Sequence, residues 1–474
     1  MAQKVTIEPV TRIEGHARVT VYINDAGKVE NAYFHVDQFR GFEKFCEGRM
    51  FWEMPLITQR TCGICPVSHH LASIKACDAI AGVTPPRPAV LLRSLIHKGQ
   101  FVQSHSMHFF YLAGPDLVLG FDADPAIRNV VGIIQANPEL AVKAVKLRKW
   151  GQEIIRTVAG RRVHPTFGIP GGVNKALTIP ERDALLAPVD EMIGYMQEGL
   201  AIAKGWIEQN QDLVQRFANF RTGYMGLVDP KDGSLRLYDG VLRMKDRDGK
   251  LLEQFEPKNY LNYIAEHTED WSYLKFPYYK KMGWPNGVYR VAPLARLNVA
   301  DKISTPLANE EFKKFKALAK GPVEPTLFMH YARLIEDIYA AERARELLED
   351  PDITSTDIRA EPGHITGEGV GVVEAPRGTL IHHYWTDESG KVTQVNLIVA
   401  TGHNNYAMSK SVELVAKEFV DGNHLTEGML NRVEAAIRAY DPCLSCSTHA
   451  LGQMPLVIEL KNSRGEVVET LTRG

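Results

Sequence analysis

Arg60-Thr61-Cys62-Gly63-Ile64-Cys65-Pro66-Val67-Ser68-His69 and Asp441-Pro442-Cys443-Leu444-Ser445-Cys446-Ser447-Thr448-His449 lie near opposite ends of a chain of 474 residues. Each segment contains a Cys-x-x-Cys pair, a spacing that lets two sulfur atoms bind one metal. Four such thiols would form a soft site suited to zinc, an iron–sulfur cluster or nickel. Zinc ribbons separate their pairs by about 15–20 residues, whereas 377 residues lie between these two pairs. Either a large fold brings both ends of the chain to one site, or the pairs are unrelated structural or redox pairs.

The composition is that of an ordinary globular protein. It is 45% hydrophobic and 24% charged, and the net charge of -2 gives no sign of a nucleic-acid-binding surface. We find neither the apolar run of ~20 residues that would cross a bilayer nor a secretory signal, so we expect a cytoplasmic protein. Six cysteines are too few for a disulfide scaffold in a chain of this length, which points to metal or redox chemistry.

Hydrophobic periodicity predicts the elements of the fold. Intervals of three and four residues predict helices, and alternation predicts strands around residues 19–23 and 29–36. The ranges predicted to be helical are 89–113, 144–158, 185–207 and 327–348, and later strands are predicted at 371–374, 379–386 and 391–400. We interpret the less periodic residues 223–300 as a peripheral elaboration. The predicted class is mainly α (α+β), with a central bundle of long helices and small β-sheets from the N- and C-terminal regions.

The segments around the two cysteine pairs resemble the two signatures of nickel–iron hydrogenase large subunits, Arg-x-Cys-Gly-x-Cys-x-x-x-His and Asp-Pro-Cys-x-x-Cys-x-x-His. Three further segments are similar to that family in the same order: Arg12-Ile13-Glu14-Gly15-His16, Arg40-Gly41-Phe42-Glu43 and Glu374-Ala375-Pro376-Arg377-Gly378. The resemblance spans nearly the whole chain. It implies the hydrogenase large-subunit fold and reversible heterolytic oxidation of H2 to protons and electrons. The segment 104–110 looks like the cytoplasmic, NAD-reducing subgroup.

The resemblance implies a role for each cysteine of the two pairs. Cys62 and Cys443 would be terminal ligands of nickel, while Cys65 and Cys446 would bridge nickel and iron. The family's iron also carries carbon monoxide and cyanide ligands. Pro376, Leu380, Val399 and Thr401 match the positions that surround those ligands. The chain departs from the family at Ala400, where proline is frequent, and this departure concerns the local backbone shape.

Catalytic roles are implied for four charged residues. Glu14 would carry protons away from the thiolate of Cys443, and Arg377 would lie over the open metal position, held by Asp116 and Asp441. Taken without the resemblance, Glu14 would pair with Arg12 or cap a turn, Arg377 would be a surface residue, and Asp116 would be a turn residue.

A second metal site is implied away from the cysteines. Glu43, His449 and the carbonyl of Leu397 match the ligands of a structural magnesium ion or a similar divalent cation. We expect the remaining histidines to have ordinary core or surface roles. Cys46 and Cys77 are expected to be buried small hydrophobic residues.

Members of this family are usually cut after the motif histidine once nickel is in place. We therefore expect a catalytic unit of residues 1–449 and a C-terminal extension, residues 450–474, that a maturation endopeptidase removes. Nickel and iron insertion chaperones would act on this precursor. Strand character at 456–460 leads us to expect that the extension pairs with the N-terminal β-region.

Partners follow from what the chain lacks. Its few cysteines do not provide for iron–sulfur clusters, so the electrons require an iron–sulfur small subunit, and flavin-containing diaphorase subunits would complete the path to NAD. No nucleic acid or direct membrane span is expected. The alternatives are a hydrogen sensor with the same site, and a non-catalytic subunit related to respiratory complex I, which would lack the four metal cysteines.

Overall fold

The computed structural model describes residues 3–448, 456–461 and 467–473. Its α-helices, in chain order, are α1 (Phe42–Cys46), α2 (Met54–Thr58), α3 (Pro66–Ile80), α4 (Arg87–Met107), α5 (Gly114–Leu119), α6 (Val130–Ala136), α7 (Pro138–Ala159), α8 (Ile179–Leu186), α9 (Val189–Gln209), α10 (Gln211–Arg216), α11 (Ala292–Val299), α12 (Pro306–Lys316), α13 (Phe328–Glu349), α14 (Ala400–His403), α15 (Asn405–Phe419), α16 (Glu427–Arg438) and α17 (Leu444–Ser447). None of these described helices is long and apolar enough to cross a membrane.

The strands form several small sheets. They are β1 (Gln3–Ile7), β2 (Arg18–Ile23), β3 (Val29–His35), β4 (Gly168–Ile169), β5 (Gly172–Val173), β6 (Gly223–Val228), β7 (Val241–Lys245), β8 (Leu251–Phe255), β9 (Ile264–Glu269), β10 (Ser272–Tyr279), β11 (Tyr289–Arg290), β12 (Glu368–Ala375), β13 (Gly378–Thr386), β14 (Val392–Ile398), β15 (Leu456–Lys461) and β16 (Val467–Arg473). The largest has the order β11-β6-β7-β8, and two three-stranded sheets have the orders β1-β2-β3 and β12-β13-β14. The predicted class, mainly helical with small sheets near both ends of the chain, is confirmed.

The long helices α4, α7, α9 and α13 pack together as the central bundle. Helices α4 and α7 approach each other closely at two glycines, since a Cβ atom on Gly151 would lie 2.7 Å from the carbonyl oxygen of Gly99. Asn137 caps α7 by accepting the N–H of Leu140, and Gly160 ends it in the left-handed conformation. The bundle therefore has a backbone-to-backbone contact where larger side chains would keep the helices apart.

The predicted helices are confirmed, with two local differences. The predicted range 185–207 is divided between α8 and α9, and Pro188 lies at the break, where its ring is incompatible with a continuous helix. The predicted helix 89–113 changes to a π-helical turn at His108–Ala113. Strands β12, β13 and β14 agree with the strands predicted at 371–374, 379–386 and 391–400.

The sheet β12-β13-β14 packs against helix α3. Gly369 and Gly371 of β12 allow this contact, because a Cβ atom on Gly371 would lie 1.9 Å from the carbonyl oxygen of Ala72. Since Cys65 immediately precedes α3, the close packing also places the first cysteine pair near the β12–β13 turn. Two glycines thus determine how near the turn comes to the cysteines.

Two expectations about the periphery are wrong. Strands β15 and β16 of the C-terminal extension pair with each other, and the described N-terminal sheet contains only β1, β2 and β3. The middle of the chain is also less peripheral than expected. Helix α11 is buried along its whole length and packs against α13 in the core.

Candidate metal centre

The first cysteine pair lies in the turn that leads into α3. Cys65 precedes Pro66, which occupies the first helical position, where a backbone N–H is not needed. The backbone N–H groups of Ile64 and Cys65 donate to Sγ of Cys62 at 3.1 and 3.5 Å. Hydrogen bonds of this kind favour the thiolate form of a cysteine.

The second pair lies at the start of α17, with Cys443 just before the helix and Cys446 within it, and distant parts of the chain hold it. Asp441 has a φ of +53°, in the left-handed region. The N–H of Cys443 donates to the hydroxyl of Thr401 at 2.9 Å, and the N–H of Leu444 donates to the carbonyl of Glu14 at 3.0 Å. The turn is therefore assembled only when the N-terminal region and α14 are both in place.

The four sulfur atoms converge on one buried point. Sγ of Cys443 lies 3.1 Å from that of Cys62 and 2.7 Å from that of Cys446, and Sγ of Cys65 lies 3.4 Å from that of Cys446. All four lie within 4.8 Å of one another, and no residue of the four is more than 4% exposed. The alternative that the two pairs are unrelated is therefore wrong.

The electrostatics of this cysteine cluster favour ionisation at one sulfur. Burial opposes a charge on Cys62, but hydrogen bonds with Cys443, Cys446 and Cys65 and the charge of Arg377 lower its pKa well below the usual value. Burial raises the pKa of Cys443 and Cys446 well above theirs. Because thiolates are the form that binds metal, a cation here would release protons from the other cysteines.

Arg377 lies beside the cluster at the tip of the β12–β13 turn. Its Nη2 donates to Oδ1 of Asp441 at 2.9 Å, and both residues are only 2% exposed. Burial works against the charge of the guanidinium, but Asp441 and the nearby cysteines raise its pKa well above the usual value. Nε and Nη1 are buried without a hydrogen-bond partner among the described residues. Buried donors without acceptors are costly, so these two fit a site that receives a bound group.

Asp116 has partners other than the expected one. Its carboxylate accepts from Arg12 at 2.5 Å and from Asn431 at 3.0 Å, and it also binds Arg438. Burial opposes its ionisation, but Arg438 and Arg12 outweigh it and lower the pKa of Asp116. The expectation that Asp116 holds Arg377 is therefore wrong. Asp116 instead ties the N-terminal segment to α16.

Replacing Asp116 by asparagine is expected to destabilise the protein by about 3–5 kcal/mol, because Arg12 and Arg438 lose the buried anion that they share. Scanning calorimetry of the purified chain would measure this as a lower melting temperature. Asp122→Asn is the matched control, since Asp122 binds Arg432 with a side chain that is 69% exposed. Its cost should be about 1 kcal/mol or less. Equal melting temperatures for the two variants would contradict the prediction.

Glu14 lies directly against the second cysteine pair. Its Oε2 accepts the N–H of Ser445 at 3.1 Å, and its backbone forms a parallel bridge with Cys443. The residue is partly exposed. Its carboxylate thus contacts the cysteine turn without being sealed from solvent, which suits a group that passes protons outward. The pairing with Arg12 that the sequence left open is not among the hydrogen bonds of the described residues.

The residues expected around the iron ligands are all buried in the structure: Pro376, Leu380, Val399 and Thr401. Thr401 contributes to the second turn through its hydroxyl, as described above. Ala400, the departure from the family, is the first residue of α14. Proline is favoured at this position of a helix, so alanine leaves the backbone in a conformation that proline would also adopt.

The residues expected to bind a hard cation lie partly within the described structure. Oε1 of Glu43 accepts the N–H of Leu397 at 2.7 Å. Burial raises the pKa of Glu43 to about 7, although the hydrogen bond from Leu397 opposes this shift. His449 lies outside the described residues. The N–H of Arg40 donates to the carbonyl of Thr448 at 2.9 Å, so the chain just before His449 lies beside the segment that carries Glu43.

Five histidines without an assigned role are buried and hydrogen-bonded, in line with core roles: His105, His108, His382, His383 and His403. Their partners are Glu336 for His105, the carbonyl of Arg438 for His108, His69 and Tyr384 for His382, Tyr260 and Glu368 for His383, and Tyr289 for His403. Cys46 and Cys77 are buried outside the cysteine cluster, and burial raises the pKa of Cys46 to about 12.

Sequence reasoning gave no role to three buried charged residues near Arg377. Arg296 binds the carboxylates of Glu336 and Glu374 at 2.6 and 2.8 Å, and all three residues are fully buried. Glu374 belongs to the segment Glu374-Ala375-Pro376-Arg377-Gly378, so its place in that motif was a signal. Arg296 and Glu336 lie on α11 and α13, outside any motif, and only the fold brings them to the site.

Comparison with known sequences assigns the family. A family model described as nickel-dependent hydrogenase matches residues 40–126 and 236–449, and a second model, described as HoxL-like, matches residues 4–39. The chain is 46% identical to the beta subunit of the NAD-reducing hydrogenase HoxS of Cupriavidus necator, and the alignment covers 100% of both chains. It is 49% identical to a polypeptide of the F420-non-reducing hydrogenase vhu of Methanocaldococcus jannaschii, over 87% of this chain and 99% of the other.

Solved structures agree with this assignment. A crystal structure of an NAD+-reducing [NiFe]-hydrogenase in the H2-reduced state superposes with a TM-score of 0.92 at 45% identity, covering 94% of this chain and 99% of the other. A [NiFeSe]-hydrogenase of Dm. baculatum has the same fold, with a TM-score of 0.78 at 24% identity, over 95% of this chain and 100% of the other. With its buried four-cysteine cluster and these full-length relatives, the chain belongs to the nickel-dependent hydrogenase family, as a catalytic large subunit.

Proposed function

We propose that the chain oxidises H2 reversibly at a nickel–iron centre and that its electrons pass to NAD. The observation that carries the proposal is the buried cluster of four cysteines beside the charged Arg377. Four thiols alone would suit zinc as well, but the family match and the unpartnered donors of Arg377 favour a centre with additional ligands. The NAD-reducing relatives, at 46% and 45% identity, support the choice of electron acceptor.

The cysteine cluster would hold both metals. Cys62 and Cys443 would be the terminal ligands of nickel, and Cys65 and Cys446 would bridge nickel and iron, since thiolates are the soft donors that these metals prefer. When bound, such a centre supplies an open coordination position at which H2 is split heterolytically. Carbon monoxide and cyanide on the iron would lie among buried residues that exclude water, with the hydroxyl of Thr401 as a hydrogen-bond donor: Pro376, Leu380, Val399 and Thr401.

The protein would handle the proton through three residues. Sγ of Cys443 would accept it, and Glu14, whose carboxylate contacts the same turn, would carry it towards solvent. Arg377 would keep a fixed positive charge over the open position, held by its hydrogen bond to Asp441. Each step uses a contact that the fold already provides.

The electrons would leave through partner subunits. The six cysteines of the chain comprise the four of the cluster plus Cys46 and Cys77, so an iron–sulfur small subunit would have to supply the clusters for electron transfer. Flavin- and iron–sulfur-containing diaphorase subunits would then reduce NAD. Because NAD is a coenzyme of the cytoplasm, the complete complex would work there.

A hard divalent cation, such as magnesium, would support the centre from the side of α1. Glu43 and the carbonyl of Leu397 would be two of its ligands, and their residues are already joined by a hydrogen bond. His449 would be the third. Oxygen ligands from a carboxylate and a carbonyl suit a cation of this kind.

Maturation would remove the C-terminal extension. The match to the nickel-dependent hydrogenase model ends at residue 449. This end point supports an endopeptidase cut after His449 that separates the catalytic unit, 1–449, from residues 450–474. Nickel and iron insertion chaperones would act before the cut.

The test is metal analysis and turnover of the processed protein assembled with its small and diaphorase subunits. We expect equal amounts of nickel and iron and reduction of NAD under H2. Turnover with an artificial dye but not with NAD would overturn the acceptor. Loading with nickel and iron but only slow turnover would favour the hydrogen sensor. Zinc or no metal would refute the centre itself.

A further inference from the structure

We infer that Arg296 is a positioning residue, which holds the turn that carries Arg377 over the cysteine cluster. The inference rests on the proposed role of Arg377. Arg296 lies on α11, in the part of the chain that the sequence indicated to be peripheral. It is fully buried and makes its contacts beneath the tip of the β12–β13 hairpin.

The side chain of Arg377 does not determine its own position. Ala375 pairs with Gly378, so Pro376 and Arg377 form the two-residue tip of the hairpin. Of the five N–H donors of the Arg377 guanidinium, the described structure gives a protein acceptor to one, through Asp441. The place of the guanidinium therefore depends mainly on where the backbone of the tip is held.

Arg296 holds that backbone by donating hydrogen bonds to the carbonyl groups of the tip. Its Nη1 donates to the carbonyl of Ala375 at 2.9 Å, and its Nη2 donates to the carbonyl of Pro376 at 3.1 Å. These are the last two carbonyl groups before Arg377. Because a two-residue turn has few degrees of freedom, two hydrogen bonds at this point limit both the distance of the turn from the cysteine cluster and its orientation.

The remaining donors of Arg296 are also used. Nε and Nη2 donate to the two oxygens of Glu336 at 2.6 Å each, and Nη1 donates to Oε2 of Glu374 at 2.8 Å. All five N–H groups of Arg296 thus have acceptors. Arg296 and Arg377 are complementary in this respect, since one guanidinium is fully bound to protein and the other is left open.

The carboxylates of Glu336 and Glu374 connect Arg296, and with it the hairpin tip, to the rest of the core. Glu336, on α13, also receives a hydrogen bond from Nε2 of His105 on α4 at 3.1 Å. Glu374 accepts the N–H of Leu227 at 3.0 Å and the hydroxyl of Thr379 at 2.9 Å. Hydrogen bonds therefore fix the tip of the hairpin relative to the helix bundle and to β6, and not only relative to its own strands.

Arg296→Lys is the test, because lysine keeps the charge but offers three donors on one nitrogen in place of a planar fork. We expect kcat for H2 oxidation to fall about 10–100-fold with little change in KM, as a small misplacement of a catalytic group would cause. In the metal-free chain, hydrogen–deuterium exchange at Gly378 and Thr379 should become faster. This second readout does not depend on the loaded centre.

Arg93→Lys is the matched control. Arg93 is equally buried, and like Arg296 it binds a carboxylate, that of Asp78, and two carbonyls, those of Ile169 and Gly172 at 3.0 and 2.9 Å, none of which belongs to the hairpin tip. It should leave kcat and the exchange rates of the tip unchanged. If Arg93→Lys lowers kcat and speeds exchange as much as Arg296→Lys does, the effect is general core damage and the inference is wrong.

Two further variants complete the design. Glu336→Gln removes the charge of one of the two carboxylates that bind Arg296 but keeps the shape of that side chain. This variant decides the matter if Arg296→Lys does not fold. A normal kcat and normal exchange in Glu336→Gln would overturn the inference. Arg377→Lys tests the proposed function separately. Full activity of Arg377→Lys would refute the role of Arg377, whereas loss in Arg377→Lys with full activity in Arg296→Lys would refute only the positioning role.

Discussion

Replacing Cys443 by serine is expected to abolish nickel binding and H2 oxidation while leaving the fold intact. Cys443 lies 3.1 and 2.7 Å from two other sulfur atoms, so it is central to the cluster. A serine hydroxyl is a harder donor than a thiolate and does not ionise near neutral pH, so it cannot replace a soft ligand of nickel. Metal analysis and H2-dependent dye reduction on the chain assembled with its small subunit would measure both losses.

Cys46→Ser is the matched control for this experiment. Cys46 is as buried as Cys443 but does not belong to the group of four cysteines whose sulfur atoms could share a metal. This variant should bind nickel and turn over H2 like the wild type. Retention of nickel and turnover in Cys443→Ser would refute the ligand assignment, and loss in both variants would mean that any buried serine disrupts the site.

The elements of the fold were predictable where they depend on local patterns. The helices α7 and α13 follow from apolar side chains at intervals of three and four. The turn of the β7–β8 hairpin follows from Asp248-Gly249, with Gly249 at a φ of +81°. These signals lie within a few residues of the structure that they specify. The π-helical turn at His108–Ala113 had no such signal.

The sequence could predict that the two cysteine pairs are able to share a site, but not that they do. Their spacing allowed a shared site, but it could not exclude unrelated pairs, because contacts across 377 residues leave no periodic trace in a sequence. The deciding contacts involve backbone groups, such as the N–H of Leu444 with the carbonyl of Glu14. Backbone groups are the same at every position, so a sequence carries no direct information about such pairs.

Asp116 shows why the partners of charged residues are hard to assign from sequence. Each arginine near it could in principle be its partner, and the choice depends on which elements the fold brings together. Here α5, α16 and the N-terminal segment meet, so Asp116 binds Arg12 and Arg438, while Arg377 is left to Asp441. The same reasoning explains why Arg296 was missed, since α11 reaches the site only through its packing against α13.

The site separates two electrostatic tasks. Asp116 neutralises arginines that hold distant segments together, and its ionisation is secured by a lowered pKa. Asp441 neutralises the arginine beside the cysteine cluster, where burial raises its own pKa despite Arg377 and Arg333. Asp116 and its arginines therefore serve stability. Asp441 and Arg377 lie where the pKa values of both groups are shifted, as is common at functional sites.

Replacing Glu14 by glutamine is expected to lower the rate of H2 oxidation by about 10²–10⁴-fold, the range over which a general acid–base group contributes. The amide oxygen of glutamine can still accept the N–H of Ser445, so the second cysteine turn should keep its shape. Nickel content should accordingly be normal. What is lost is a group that can take up a proton near Cys443 and release it to solvent.

The design of this experiment rests on comparing three variants. Glu8→Gln removes an exposed carboxylate of the same N-terminal segment and should have no effect. Glu14→Asp restores a carboxylate on a shorter side chain and should recover part of the rate, which a purely structural role of Glu14 would not predict, since aspartate reaches Ser445 less well than glutamine does. If Glu14→Gln and Glu8→Gln turn over H2 equally fast, protons leave by another route and Glu14 serves only to hold the cysteine turn. If Glu14→Gln loses nickel, its effect belongs to assembly of the site and the proton-transfer role is wrong.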